Sequence, residues 1–442
     1  TGSIKLSAGE FEIDSGGGAI TVDGRIIGTD AEEVNFDAGT GDGTNATVTL
    51  GSTTGIGSGD EISSITLDGE DGVSLSGALK LDDNTGAVSI TGPVTLAQNI
   101  SINTAANNGT VTFETSSTTI NGAKNLTISS GSGDVTFQGA IGTAGTGIGN
   151  IDVNATAGTG DIEIFEMGTS GGVMGATGTV DIGNSTTTSI TLDGTTYNTD
   201  GNTEFEATAT GASIKLTGVS PVMTMAAGHT LKFTTADVEL SGTSGTGDVG
   251  TTTFTAPGGA TFAGDIIGKS GMSGTESLTI ETSGGALDIG GSIGGSGKAI
   301  GTLLINSSGN GTIAIAGIGT SSAVGVSGTT TIGNSSTGSI TLDGAEYNTT
   351  GSQTYEATGG TNIDITGTAT EIATAGANIT FSTADLELNN DGTTTITSGG
   401  SSNAGNISFA GAIEANGTSD VLTIVSGAGS VSFSDVIAKT HE

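Results

Sequence analysis

Short runs of alternating apolar and polar residues fill the chain. NLTIS from Asn125, DVTFQG from Asp134 and LKFTTADVEL from Leu231 are typical. Alternation at period two over about four to eight residues, closed by Gly, Ser, Asn or Asp, is the signature of a half-buried strand between tight turns. One apolar row per strand would face inward. No helix longer than a turn is expected.

The strands recur with a period, and a period of this kind identifies stacked repeats. SITLDG occurs at Ser64, Ser189 and Ser339, with spacings of 125 and 150 residues. The difference, 25, matches a tandem in which SLTIETSGGALDIGGSIG from Ser277 is followed by TLLINSSGNGTIAIAGIG from Thr302. VTF ending at Phe113 recurs ending at Phe137, and SFAGAI at Ser408 precedes SFSDVI at Ser432, so both pairs repeat at nearly the same step. An elementary coil of about 24–25 residues follows, and the longer unit reads as the shorter one plus one coil. ITVDG at Ile20, VTFQG at Val135, ATFAG at Ala260 and ISFAG at Ile407 read as one position in successive large units. The reading is an all-β, parallel β-solenoid of about 18 coils spanning 1–442 as one elongated domain. Its large sequence units are 1–64 (partial), 65–189, 190–339 and 340–442 (truncated). At the roughly 4.8 Å strand spacing this predicts a rod of roughly 85 Å.

Composition explains how such a core can be thin. Among 442 residues there are 81 glycines, 3 prolines, 12 phenylalanines, 3 tyrosines, no tryptophan and no cysteine. Glycine is expected to supply positive φ at corners, while proline would delete a ladder donor. Forty-six acids against 9 bases give a net charge of −37, which excludes a nucleic-acid partner, since phosphate binding needs a cationic face. Without cysteine there are no disulfides and no thiol chemistry. No stretch approaches the length of a membrane span. No signal peptide is visible, and the chain, beginning at Thr1, reads as a processed chain or an excised segment.

The strings SITLDGAEYNTTGSQTYEATGG from Ser339 and SITLDGTTYNTDGNTEFEATAT from Ser189 resemble the repeats of filamentous-haemagglutinin-like, β-strand-repeat bacterial surface adhesins. The resemblance covers most of the chain. It implies a right-handed parallel β-helix, export to the cell surface and an extracellular role as adhesin shaft or structural fibre. The N-terminal secretion domain and C-terminal translocator barrel associated with such proteins are not recognisable here.

Candidate chemistry is sparse. The two histidines, His229 and His441, are far apart in sequence, and no nucleophile triad can be drawn. Lys5, Arg25, Lys80, Lys124, Lys215, Lys232, Lys269, Lys298 and Lys439 are dispersed singly. The carbohydrate lyases and hydrolases built on β-helices need clustered bases, or paired acids with aromatic sugar platforms. Here Tyr197, Tyr347 and Tyr355 are the only tyrosines. No catalytic or cofactor-binding residue is nominated, and no cofactor is required. Calcium is the candidate ligand, at the oxygen-rich turns Asp68, Glu70 and Asp71; Asp82, Asp83 and Asn84; and Asn389, Asn390 and Asp391. None has the EF-hand or nonapeptide spacing, and solvated turns are the plainer reading. Asn45, Asn125, Asn154, Asn334 and Asn378 begin glycosylation triplets, and TTTI at Thr329 hints at an ice-binding row that the repeats do not keep.

Strand patterns run from SIKLSAGEFEID at Ser3 to SVSFSDVIA at Ser430, with no polar cap. Open strand edges recruit strands, so the expectation is a non-catalytic, extracellular filament or shaft subunit associating end to end. The alternatives are an adhesin module binding a surface glycan or host-cell receptor, and a β-helix polysaccharide lyase or hydrolase.

Overall fold

The computed structural model describes residues 2–438 except 8, 30, 40–45, 52–61, 82–85, 144, 146, 210, 212, 242–249, 272–273, 296 and 400–404. Among these residues it is all-β, without a helix, and its parallel coils stack into a right-handed β-solenoid of about 15 turns. The expected count of about 18 is too high because the coils are not uniform in length. Ile4 stacks on Ile26, Ile65 on Val88, Ile162 on Ile190 and Val34 on Ile65, and the step in residue number differs in each case. Stacked strands keep their register while the number of residues between them varies.

The chain forms two compact units, Thr1–Lys215 and Leu216–Glu442. In the first unit a coil takes three strands, for example Val111–Glu114, Ile120–Asn121 and Leu126–Ser129. Each pairs in parallel with its counterpart one coil on. A single ladder carries Ile65, Val88, Val111, Val135, Ile162 and Ile190, so the step from the first SITLDG to the second is five coils. The neighbouring row stacks Leu67, Ile90, Phe113, Phe137, Ile164 and Leu192. Phe113 and Phe137 are fully buried, with rings parallel and centroids 4.9 Å apart. Removing each such side chain from water contributes about 2 kcal/mol.

In the second unit Leu278 stacks on Leu303, Leu287 on Ile313 and Ile293 on Ile318, as the tandem from Ser277 requires. A ring column runs through Tyr355, Phe381, Phe409 and Phe433 at centroid spacings of 5.1, 5.1 and 5.3 Å. Ser408–Phe409 sits in register with Ser432–Phe433.

Not every sequence equivalence holds. Ile20 stacks on Val48, and that ladder continues through Val73, Val94, Ile120 and Ile141; Val135 belongs to the Val111 ladder. Likewise Ala260 stacks on Leu287 while Ile407 stacks on Ile379. The T-F-x-G string recurs on different walls, because every wall of a narrow β-solenoid makes the same demands on a strand.

Many corner glycines are dictated by space rather than by positive φ. In SITLDG at Ser339, a Cβ on Gly344 would lie 1.5 Å from the Ala316 carbonyl oxygen of the preceding coil. No side chain fits there.

Candidate functional site

The oxygen-rich turns hold coils together. Asp71 Oδ2 accepts the Ala46 N–H at 3.1 Å. Buried Asn390 donates from Nδ2 to the Gly367 carbonyl (2.9 Å) and to Thr394 Oγ1 (3.0 Å). Asn389 Nδ2 donates to Asp364 Oδ1 at 3.2 Å. Asp391 Oδ1 accepts the Thr418 N–H at 2.7 Å, and the Asp391 N–H donates to Asp420 Oδ1 at 2.9 Å. Asp82, Asp83 and Asn84 lie outside the described residues, as do Asn45, Lys439 and His441. Among the described residues no group of three or more His, Cys, Asp or Glu side chains is arranged to hold a metal ion.

The glycosylation triplets resolve in the same direction. Asn125 Oδ1 accepts the Asn150 N–H (2.9 Å) and Asn378 Oδ1 the Asn406 N–H (2.9 Å), each one coil on. Asn154 is buried, with Oδ1 on the Ser130 N–H and Nδ2 on Ser130 Oγ, both at 2.8 Å. Asn334 Oδ1 closes its own turn on the Ser336 N–H at 2.8 Å. In TTTI, buried Thr330 stacks between Leu303 and Gln353, while Thr331 begins a short outward row with Thr354 and Thr380 that Leu304 precedes and Ser408 follows. His229 sits in a turn, its N–H donating to the Ala226 carbonyl at 3.1 Å.

All three tyrosines are core struts. Tyr197 Oη accepts the Gly194 N–H at 2.8 Å and donates toward the carbonyls of Ile164 and Phe165, 3.1 and 2.9 Å away. Tyr347 Oη accepts from Gly344 N–H at 3.0 Å and donates to the Ile315 carbonyl at 2.6 Å. Tyr355 Oη donates to Gln353 Oε1 at 2.7 Å, while Gln353 Nε2 bonds the carbonyls of Tyr347 and Ala373, each at 2.8 Å. Burial pushes all three phenols above their ordinary range. The Y-N-T that follows SITLDG is therefore a buried tie between coils.

What sequence reading missed is a pair of corner loops. Gly168 and Gly319 take φ of +79° and +74°, opening the loops Thr169–Val173 and Thr320–Val324, one in each unit. Thr169 N–H bonds the Val173 carbonyl at 3.0 Å, and Thr320 N–H bonds the Ala323 carbonyl at 2.8 Å. The asparagine of Y-N-T anchors each loop from below: Asn198 Nδ2 to the Thr169 carbonyl (2.7 Å), Asn348 Nδ2 to the Thr320 carbonyl (2.8 Å). The signal was in the sequence, as G-T-S after each tandem, but short polar strings carry no period.

Beside the second loop lies a cavity of about 290 Å³, with Thr320, Ser322, Val324, Asn348, Glu371 and Thr374 in its wall. On the other side of Thr320 a second depression of about 260 Å³ is lined by Asp237, Asp265, Ser292, Lys298 and Thr320. Its acids are partly engaged, since Asp237 Oδ1 accepts the Asp265 N–H (2.9 Å) and Asp265 Oδ1 the Ser292 N–H (2.7 Å).

No family model matches the chain, and comparison with curated proteins and with solved structures gave no match.

Parallel register also stacks like charges. Asp364, Glu387 and Glu414 occupy one row on consecutive coils, as do Asp152, Asp181 and Glu204. Burial, a hydrogen bond with Asp364 and the Asp364 charge raise the Glu387 carboxyl above its ordinary value, opposed by the amides of Asn362 and Asn389. Asp181 is raised by burial and then by Glu204 and Asp152; Asp68 by burial and then by Asp37 and Glu70. Among the described residues no helix is long and apolar enough to cross a membrane.

Proposed function

We propose that this chain is a non-catalytic structural element of the cell exterior, the shaft of a surface fibre or adhesin, lengthened by stacking coil on coil. The observation that carries the reading is where the polar side chains are used. Asn125, Asn154, Asn378, Asn390, Asp391, Tyr197 and Tyr347 bond to the coil above or below. A side chain that caps the next coil stiffens the stack and is not available for chemistry. Parallel pairing passes from coil to coil within each unit, and ladders of that kind are what strand addition extends. Electron microscopy of the purified chain across a concentration series tests this. End-joined rods that lengthen with concentration are expected; isolated particles of single-chain length at every concentration would refute assembly.

A catalytic reading has one observation in its favour, the depression where Lys298 meets Asp237 and Asp265. A lyase at that place would release unsaturated sugar ends from acidic polysaccharide, and Lys298→Ala would abolish the release. With the two carboxylates engaged by the next coil's N–H groups, no product is the expected result.

A further inference from the structure

We infer that one wall of the second unit, built on the strands Thr251–Thr255, Ser277–Ser283, Leu303–Ser308, Thr330–Gly333 and Gln353–Glu356, binds ice through two outward rows of hydroxyl-bearing side chains. This goes beyond the shaft reading and does not depend on it.

The rows come from the register. Thr253, Thr279, Leu304, Thr331 and Thr354 stack on five consecutive coils, each half-buried between two buried neighbours and so facing outward. Two residues earlier on the same coils stand Thr251, Ser277, Thr302, Thr329 and Ser352. Thr251 pairs with Ser277. The N–H groups of Leu278, Leu303 and Thr330 bond the carbonyls of Thr302, Thr329 and Ser352 at 2.9, 2.9 and 2.8 Å, which carries the second row across all five coils. Nine of these ten side chains have a hydroxyl. The repeats hide the array in the sequence because the step from coil to coil changes.

Two further observations set this wall apart. Its hydroxyls are unspent: only Ser277 Oγ is engaged, by the Thr302 N–H at 3.2 Å, whereas the asparagines and aspartates of the corners bond the next coil. The ten positions also carry no charge, in a chain of net charge −37. On another wall of the same unit the outward row reads Lys232, Thr261, Asp288, Ala314, Thr341 and Asp364. Free hydroxyls without charge call for a neutral occupant that makes hydrogen bonds at regular intervals.

Spacing selects ice. Stacked strands set the members of a row about 4.8 Å apart, and alternate residues along a strand stand about 6.7 Å apart, both within about a tenth of the oxygen repeats on a prism face of hexagonal ice. The β-branch of threonine restricts χ1 and keeps the array stiff, and groups already ordered lose little entropy on meeting a solid. Each threonine offers a hydroxyl that can stand in for a lattice water, and a methyl around which first-shell water is already restricted. Leu304 keeps the methyls and lacks the hydroxyl, so it is the defect in its row.

The test is growth of an ice crystal from a dilute solution of the fluorescently labelled intact chain, with thermal hysteresis measured in parallel. The chain is expected to enter the ice while labelled serum albumin is excluded. Thr279→Tyr and Thr331→Tyr place a bulky ring on the outward row. Each should lower the hysteresis about tenfold, as loss of a central contact implies, with the protein's own melting temperature unchanged. Thr341→Tyr, on the charged wall, should leave ice uptake as it was. Leu304→Thr, which completes the row, should raise the hysteresis, a gain that misfolding cannot produce. Exclusion of the parent chain from ice, an equal loss from Thr341→Tyr, or undiminished uptake of both folded row variants would each overturn the inference. Binding of the parent chain to crystalline cellulose together with exclusion from ice would overturn it in favour of a polysaccharide.

Discussion

In the first unit one corner of successive coils carries Gly86, Gly109, Gly133 and Gly160, and another carries Asn99, Asn125 and Asn150. Both corners lie just before a strand and both are polar. At the glycine corner the coils are in close contact: a Cβ on Gly109 would lie 2.1 Å from the Gly86 carbonyl oxygen, and one on Gly133 2.3 Å from that of Gly109. At the asparagine corner there is room, and each amide oxygen accepts the N–H one coil on, Asn99 from Asn125 at 3.1 Å and Asn125 from Asn150 at 2.9 Å. One corner is held by exclusion of side chains and the other by a side-chain bond. The two should respond very differently to substitution.

The largest effect is expected at the glycine corner. Gly109→Ala forces backbone against backbone and should cost about 4 kcal/mol, read as a lowered denaturant midpoint; a change under about 0.5 kcal/mol would mean the corner is loose. Next comes the wall between the corners, where Phe137→Ala opens a void under Phe113 and should cost roughly 3 kcal/mol. Asn125→Ala should cost about 0.5–1.5 kcal/mol, because it removes the exposed bond to the Asn150 N–H. Asn125→Asp should recover most of that, since Asp134 Oδ1 already caps the Asp161 N–H at 2.9 Å. If Asp fares no better than Ala, capping is not what the asparagine column does.

The smallest effect concerns pH. The folded-state Glu387 carboxyl lies above its unfolded value, so the native chain binds the proton first, and stability rises as pH falls through the raised value. Asp68, Asp181, Glu206 and Glu346 shift in the same direction. The melting temperature should therefore increase on mild acidification from neutral pH, and Glu387→Gln should flatten that rise. A melting temperature that falls over the same interval contradicts the stacked-carboxylate account.

The strands and the coil were legible because period-two alternation and the short tandems come from the wall, where every residue must face in or out. Phe113 over Phe137 and Leu278 under Leu303 could be read directly. Corner chemistry was less legible. Gly344 was expected to serve positive φ but is fixed by the Ala316 carbonyl beneath it. Tyr347, one of three residues considered as sugar platforms, is a buried strut. Asn389, Asn390 and Asp391 resembled an oxygen cage and instead bond to Asp364, Gly367, Thr394 and Thr418. Most of these partners lie one coil away, at a sequence distance that the loops make irregular. The cavity at Asn348 was unreadable for the same reason, since Glu346 and Glu371 meet only through the register.

The central claim is that each coil is a module tied to its neighbours alone. Duplicating residues 278–302, one full coil between Leu278 and its partner Leu303, tests it most directly. Because a solenoid gains one more nearest-neighbour interface per added coil, the duplicated chain should fold with the same strand content per residue and melt no lower than the parent. Aggregation, or a melting temperature lower by about 10 °C or more, would contradict the account.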